Sequence, residues 1–415
     1  MPVRRLNTSY NVSRNRWLLE RYAYLEERLF SIQAGWVWTT PRLEHKIELG
    51  RLSYDAIQHA DGLRRRAAEL APGTEAPVEA PAVDDLALFC NELGNAADTP
   101  ERLTGLIRVA KAGLLAAYRR HLAETDDLLD GPTALLLERL IAAAAEHSAW
   151  GESALVALLA EPAVMERAAA WERHLRAAWQ SFGGVRGEAP AGPPPVYLRP
   201  EPPFTDTTRF PARDGRHRIV PVEAYAVPTM GETPNEVIRH LLYQNTYGEM
   251  EAEDVLGQVL ANTPNLPWQM RLDLARQMWD EARHAEMSWR RMEELGGAPD
   301  PLPPVPPLIL GVVGEAVDPL ERLLILQRTI EGRVTERHRF RVVHLARELN
   351  DPITARLFEY IVADERSHIG NSAWIDRLVG EDAEKIERFH RIAAESERAL
   401  EAMLSRRTDT TVRPH

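Results

Sequence analysis

The sequence WDEARHAEM at 279–287 and the sequence VADERSHIG at 362–370 both contain a glutamate followed three residues later by a histidine. Positions i and i+3 of a helix lie on the same face, so each pair would present its carboxylate and its imidazole together. Ala, Leu, Arg and Glu dominate the surrounding sequence, and these residues favour helices. The repeated pattern therefore predicts two helices that turn Glu-x-x-His pairs towards a shared interior.

The two pairs are Glu281 with His284 and Glu365 with His368. One pair alone is weak evidence for a site, because about one Glu-x-x-His pair is expected by chance in a chain with 13 histidines. A third copy illustrates this: Glu387 and His390 lie in the last predicted helix, and we interpret them as solvated surface. A metal site therefore requires further carboxylates on the facing helices.

Facing carboxylates can be sought by counting residues from the turn of each helical hairpin. The first hairpin turns near Asn265, and Glu249 lies as many residues before this turn as Glu281 lies after it. An antiparallel pair of helices would bring these two carboxylates level with each other. Glu249 is therefore the predicted partner of Glu281.

The second hairpin leaves two candidates for its facing carboxylate. It turns near Asn350, and the distance of Glu365 beyond the turn is matched better by Glu336 than by Glu331. Counting alone therefore favours Glu336, and Glu331 remains the second candidate.

The composition predicts an all-α, water-soluble protein. Of its 415 residues, 44% are hydrophobic, which is enough for more than one core. The net charge of −12 argues against nucleic-acid and anionic-membrane partners, and no run is apolar enough to span a bilayer. The single cysteine, Cys90, excludes an intramolecular disulfide, and the first twenty residues lack the apolar core of a secretory signal. We therefore expect a cytoplasmic location.

Proline and glycine divide the chain into two helical halves. The stretch GGVRGEAPAGPPP at 183–195 begins a region in which long helices cannot form. Helical patterns occupy the sequence on both sides of it. The predicted segments are a first helical bundle at 1–182, a Pro- and Gly-rich linker at 183–233, a second helical bundle at 234–405 and a tail at 406–415.

The second half resembles the ferritin-like dimetal-carboxylate superfamily, in which two helices each supply a glutamate and two others each supply Glu-x-x-His. The segments WDEARH, RTIEGR and VADERSH are similar to an uncharacterised branch of this superfamily that is related to rubrerythrin. In that branch the ligand of the third helix precedes Gly or Ala and then Arg, which implies Glu331 rather than Glu336. The implied metal ligands are Glu249, Glu281, His284, Glu331, Glu365 and His368.

The resemblance also implies supporting aspartates and a cofactor. In this superfamily an Asp directly before a ligand Glu accepts a hydrogen bond from the histidine of the opposite pair. Asp280 is therefore expected beside His368, and Asp364 beside His284. Carboxylates and imidazoles without thiolates suit two iron ions, or manganese, and no catalytic residue beyond this metal centre is predicted.

The implied function is that of an O2-dependent oxidoreductase, either an oxygenase or an oxidase. Its partners would be a small organic substrate, O2 and an external electron donor, and the chain is compatible with an oligomer. Two alternatives stay open: a rubrerythrin-like peroxidase or ferroxidase, and a non-enzymatic helical scaffold. The rubrerythrin type normally adds Cys-x-x-Cys motifs, and a chain with one cysteine has no such electron-transfer module.

The first half contains a copy of the same pattern. The matching segments are 53–66 with 278–291, 101–112 with 321–332 and 133–147 with 354–368. These matches align Asp55 with Asp280, His59 with His284, and His147 with His368. Internal repeats of this kind indicate that both halves have one fold.

The copy has lost most of the carboxylates. Ala56 stands at the position of Glu281, Ala144 at that of Glu365, Lys111 at that of Glu331, and only Glu26 survives, opposite Glu249. The first half is therefore predicted to be a degenerate ferritin-like bundle that cannot hold a dimetal centre. Its histidines would be core or interface residues, and its expected role is a fused partner that completes the wall of the active site in the other half.

Overall fold

The computed structural model describes residues 10–70, 84–205, 210–217, 233–300, 302 and 318–408, with side chains described for all of these except 84, 332–341 and 403–408. Every regular element in these ranges is a helix, which confirms the predicted all-α class. Within the same ranges, none of the helices has both the length and the apolarity needed to cross a membrane.

The helices of the first half are α1 (Val12–Thr39), α2 (Leu43–Glu69), α3 (Asp84–Gly94), α4 (Thr99–Gly105), α5 (Ala112–Glu124), α6 (Gly131–Leu158) and α7 (Pro162–Ser181), with a π-helical segment at Leu106–Lys111. Those of the second half are α8 (Pro234–Asn262), α9 (Trp268–Glu294), α10 (Pro319–Leu324), α11 (Glu336–Glu348), α12 (Pro352–Val379) and α13 (Ala383–Thr408), with a π-helical segment at Ile325–Thr335. The π-helical segment of the first half ends at Lys111. That of the second half contains Glu331, the residue that the sequence match aligns with Lys111.

The chain divides into two compact units. Unit 1 comprises Met1–Ile32 and Asp55–Pro203, and unit 2 comprises Gln33–Tyr54 and Phe204–His415. This division differs from the predicted segments, which placed 33–54 in the first half and began a linker at 183. The cause is packing between residues that are distant in sequence.

Residues 33–54 belong to unit 2, where a buried ion pair and a close backbone contact join them to α8. The fully buried Lys46 places its Nζ 2.5 Å from Oδ1 of Asp254 on α8. A Cβ on Gly257 would lie 2.5 Å from the backbone oxygen of Ala34, so only glycine permits this approach of α8. The local sequence does not predict such contacts, because they join residues about 200 positions apart.

Local signals explain where the helices of unit 2 begin. Thr233 and Glu236 form a capping box, in which the Thr233 amide donates to the Glu236 carboxylate at 2.9 Å and Pro234 occupies the first turn of α8. At the start of α12, the Asp351 carboxylate accepts from the Thr354 amide at 3.0 Å. Capping by such residues satisfies amides that have no partner within the helix.

Apolar side chains form a core in the interior of unit 2. The largest contributors are Leu242, Tyr243, Tyr247, Met250, Met292, Val343, Phe358 and Ile361. They come from α8, α9, α11 and α12, which places these helices around one core. Burial of each such side chain contributes roughly 1.5–3 kcal/mol to folding.

Unit 1 has its own core. Tyr22 of α1 and Tyr118 of α5 are fully buried, with ring centroids 5.1 Å apart in an edge-to-face arrangement. Leu18 and Leu25 on α1 are likewise inaccessible to solvent. Each unit therefore buries apolar surface of its own.

Candidate metal centre

Unit 2 contains two overlapping sets of four buried side chains whose ligand atoms lie within 4.8 Å of one another. The first set is Glu249, Glu281, His284 and Glu365, and the second is Glu281, Glu331, Glu365 and His368. Glu281 and Glu365 belong to both. The structure thus brings together all six residues that the resemblance implied as ligands, and we call these six the carboxylate cluster.

Each helix of the cluster supplies the residues that its sequence predicts. Glu249 comes from α8, and Glu281 and His284 come from adjacent turns of α9. Glu365 and His368 occupy the equivalent positions on α12. The i, i+3 spacing on α9 and α12 therefore turns each pair inward, as expected for one helical face.

Glu331 enters the cluster from a π-helical segment. This segment, Ile325–Thr335, replaces α-helical geometry on both sides of Glu331. A π-helical turn contains more residues than an α-helical turn, so counting residues from the hairpin misjudges which side chain faces the other helices. The side chain of Glu336, which the count favoured, lies outside the described residues; Glu331, which the resemblance implied, lies in the cluster.

The two histidines point one nitrogen into the cluster and the other outward. Nδ1 of His284 lies 3.4 Å from Glu281 and 3.5 Å from Glu365, and Nδ1 of His368 lies 3.2 Å from Glu281. The outward Nε2 atoms face the aspartates: His284 lies 3.2 Å from Asp364. His368 Nε2 lies 3.5 Å from Asp280. The pairings of aspartate with histidine are those that the resemblance implied.

An arginine joins the two aspartates. The guanidinium of Arg283 donates to Asp280 at 2.5 Å and to Asp364 at 2.7 Å. Burial alone would raise the pKa of Asp280, but hydrogen bonds from His368, Arg276 and Arg283 lower it to about 2. Both aspartates therefore stay ionised as acceptors for the histidines, and Arg283 ties α9 to α12.

Raised pKa values favour protonation of two residues of the cluster. Burial lowers the pKa of His284, but its hydrogen bond to Asp364 and the nearby Glu281 and Glu249 carboxylates outweigh burial and raise this pKa to about 9. Burial and the neighbouring Glu365 and Glu281 charges raise the pKa of Glu331 well above its usual range. Divalent cations would displace such protons, since metal ligands bind in their deprotonated forms.

The atoms that face one another also fit a metal ion. Oε2 of Glu281 and Nδ1 of His284 are buried, and neither has a hydrogen-bond partner among the residues that the structure describes. Buried polar atoms are normally satisfied, and these two ligand atoms lie only 3.4 Å apart. A cation between them would satisfy both.

Unit 1 places the repeat-related residues together as well. Burial would raise the pKa of Glu26, but the charges of Lys111 and His59 lower it to about 2. Lys111 Nζ donates to Glu26 at 3.1 Å in a fully enclosed ion pair, and Tyr118 donates to the same carboxylate at 3.0 Å. His147 Nε2 lies 2.9 Å from Asp55, as His368 does from Asp280 at longer range. Lys111 thus supplies the positive charge here.

Sequence reasoning missed several polar neighbours of the cluster. They are Arg276, Arg283, Gln277, Gln327 and Asn371. Each lies three or four residues from a member of the cluster or from one of its aspartates, so helical spacing was an available signal. Glu387 and His390 of the third pair lie outside the cluster, and both are exposed as predicted.

A comparison with known families matches residues 162–408, more than half of the chain, to a family described as a protein of unknown function (DUF455). The chain belongs to this family. No curated protein and no solved structure matches the chain. The match spans all of the carboxylate cluster.

Proposed function

We propose that unit 2 is a ferritin-like dimetal-carboxylate centre that binds two iron ions, or manganese, and oxidises a small organic substrate with O2 and electrons from an external donor. The observation that carries the proposal is the pair of overlapping buried sets, which share Glu281 and Glu365. Two adjacent sets with two common carboxylates are what a bridged pair of ions requires.

The charge of the cluster supports two divalent ions. Four ionised carboxylates carry a charge of about −4, and two divalent cations neutralise it, whereas an uncompensated group of buried carboxylates would be strongly destabilising. Oxygen and imidazole ligands without sulfur favour iron or manganese. The unsatisfied atoms of Glu281 and His284 supply a place for one of the ions.

The residues around the cluster prepare it for redox chemistry. Two bound iron ions supply paired one-electron changes, which the reduction of O2 requires. Asp280 and Asp364 hold the histidine rings so that Nδ1 of each faces inward. The burial of all six side chains keeps bulk water away from the cluster.

We also propose that unit 1 is the second, degenerate bundle of a tandem ferritin-like pair and that it acts as a structural partner. Its π-helical segment aligns with that of unit 2 in the repeat, and its Asp55 and His147 keep the aspartate–histidine contact. Lys111 takes the position of Glu331 and pairs with Glu26. These features support a common ancestor for both units and the loss of metal binding in unit 1.

Metal content tests the proposal directly. The full chain is loaded anaerobically with Fe(II), desalted and analysed for iron, and O2 is then added while the absorption spectrum is recorded. We expect about two ions per chain and an optical change with O2. About four ions would contradict the assignment of unit 1, and none would favour the helical scaffold.

Variants assign the ions to the cluster. Glu281→Ala removes a member of both sets and should lower binding of both ions, whereas Glu249→Ala alters only the first set and should spare one ion. Glu387→Ala, at an exposed glutamate of the third Glu-x-x-His pair, is the matched control. If all three variants bind as much metal as the wild type, Glu281 and Glu249 are not ligands. Consumption of H2O2 without an organic substrate would favour the peroxidase alternative.

A further inference from the structure

Three amide side chains lie beside the carboxylate cluster, each about one helical turn from a member of it. Gln277 precedes Glu281 by four residues on α9, and Gln327 precedes Glu331 by four in the π-helical segment. Asn371 follows His368 by three residues on α12. Gln277 and Gln327 are fully buried, so neither is an ordinary surface amide.

Hydrogen bonds join these amides into one network. The Gln277 Oε1 atom accepts from Gln327 Nε2 at 2.6 Å and from Asn371 Nδ2 at 3.0 Å. Its Nε2 atom faces Oε1 of Glu281 at 3.4 Å. Gln277 thus offers its nitrogen to Glu281, while its oxygen accepts hydrogen bonds from residues of two other helical segments.

The network determines which way the Gln277 amide faces. An ionised carboxylate only accepts hydrogen bonds, so Glu281 requires the nitrogen of Gln277 on its side. The oxygen of Gln277 then faces away, where two donors meet it. Two donors from separate helical segments hold the amide more firmly than one would, because a rotation of Gln277 breaks both bonds.

We propose that Gln277 is a positioning residue that fixes the orientation of the Glu281 carboxylate between the two ions, and that Gln327 and Asn371 hold Gln277 in the required orientation. This inference rests on the proposed dimetal function. Glu281 is one of the two carboxylates common to both sets, so its rotation determines whether it reaches one ion or both. Groups that orient a ligand in this way commonly change metal affinity by about 10- to 100-fold.

The test compares Gln277→Leu with a matched variant, Gln258→Leu, in the full chain. Gln258 is equally buried on α8, and its amide atoms have no partner among the described residues. Stepwise binding of Mn(II) is measured by calorimetry, and electron paramagnetic resonance is recorded on the loaded protein. Two Mn(II) ions that share a bridging carboxylate are exchange-coupled, and two separate ions are not.

We expect Gln277→Leu to weaken the second Mn(II) by about 10- to 100-fold and to reduce the signal of the coupled pair. Gln258→Leu should keep both the affinity and the coupling, because the Gln258 amide makes no hydrogen bond to the cluster in the described part of the chain. A merely structural role of Gln277 would lower the unfolding temperature of Gln277→Leu without changing its affinity for Mn(II) or the coupling.

A milder variant keeps the test informative if Gln277→Leu fails to fold. Asn371→Leu removes one of the two donors at a half-buried position and should shift the affinity and the coupling in the same direction, by a smaller factor. This inference alone would be overturned if the wild type binds two coupled ions and both Gln277→Leu and Asn371→Leu have the same affinity and coupling as the wild type. Wild-type protein that binds no Mn(II) and no Fe(II) would overturn the proposed function with it.

Discussion

Units 1 and 2 place buried carboxylates at repeat-related positions and neutralise them by different means. In unit 1 the buried carboxylate of Glu26 is matched by the ammonium group of Lys111. In unit 2 four buried carboxylates lie together with two histidines, and the pKa values of Glu331 and of both histidines are raised. The comparison teaches that a buried lysine balances a buried carboxylate in one unit, whereas a group of carboxylates and histidines in the other unit could hold a metal ion.

Buried carboxylates require compensation in both units. A buried carboxylate without a compensating charge or hydrogen bonds is costly, and the effective penalty amounts to several kcal/mol. In unit 1 the buried alanines Ala56 and Ala144 stand at the positions that the sequence match aligns with Glu281 and Glu365. One cation, Lys111, therefore balances Glu26 there.

The largest effect is expected when the lysine of unit 1 is introduced into unit 2. Glu331→Lys places an ammonium group among Glu281, Glu365 and His368, and its charge should repel the ions as well as remove a ligand. Metal content should fall from about two ions per chain to one or none. Elemental analysis, with circular dichroism to check helicity, measures this.

Glu331→Gln is the control for that variant. It removes the ligand charge and adds no positive charge, so it should retain more metal than Glu331→Lys. Equal metal content in the two variants would show that the charge of Lys111 is not what separates the units.

Loss of the lysine from unit 1 should have the next largest effect. Lys111→Met leaves Glu26 buried, with only Tyr118 and His59 as partners. Removing one member of a buried ion pair typically costs about 3–5 kcal/mol, and the lower end applies because Tyr118 still donates. Urea unfolding of the full chain measures the free energy.

The double variant Lys111→Met with Glu26→Gln should recover most of that loss, because no buried charge remains. Metal content should be unchanged in both variants. A single variant as stable as the wild type would contradict the view that Lys111 replaces the metal ions as the compensating charge.

An effect no larger than that of Lys111→Met is expected on acid stability. Despite burial, Lys111 and His59 lower the pKa of Glu26 to about 2 from its ordinary value of 4.5. The ionised group therefore stabilises the fold above pH 4.5, and this contribution of about 3 kcal/mol is lost as the pH falls from 4.5 to about 2. In unfolding experiments over this range, Glu26→Gln should lose stability less steeply than the wild type. Parallel curves would contradict the assignment.

Helical spacing made much of the candidate site predictable. The i, i+3 rule placed Glu281 with His284 and Glu365 with His368, and symmetric counting about the first turn found Glu249. Counting failed to select Glu331 because the helix there is π-helical, and the interactions that widen a helical turn come from packing against its neighbours. The resemblance to a known family supplied that residue instead.

The sequence by itself determined the all-α class, the inward-facing pairs and the missing carboxylates of the first half, while the resemblance implied the two aspartates. Periodicity and aligned repeats record these features, because they depend on positions within single helices. Only the tertiary structure decided that residues 33–54 pack with unit 2, that Lys111 meets Glu26, and that Gln277 is held by Gln327 and Asn371. Each of these contacts joins residues that are far apart along the chain, and no local propensity specifies which buried side chains will meet.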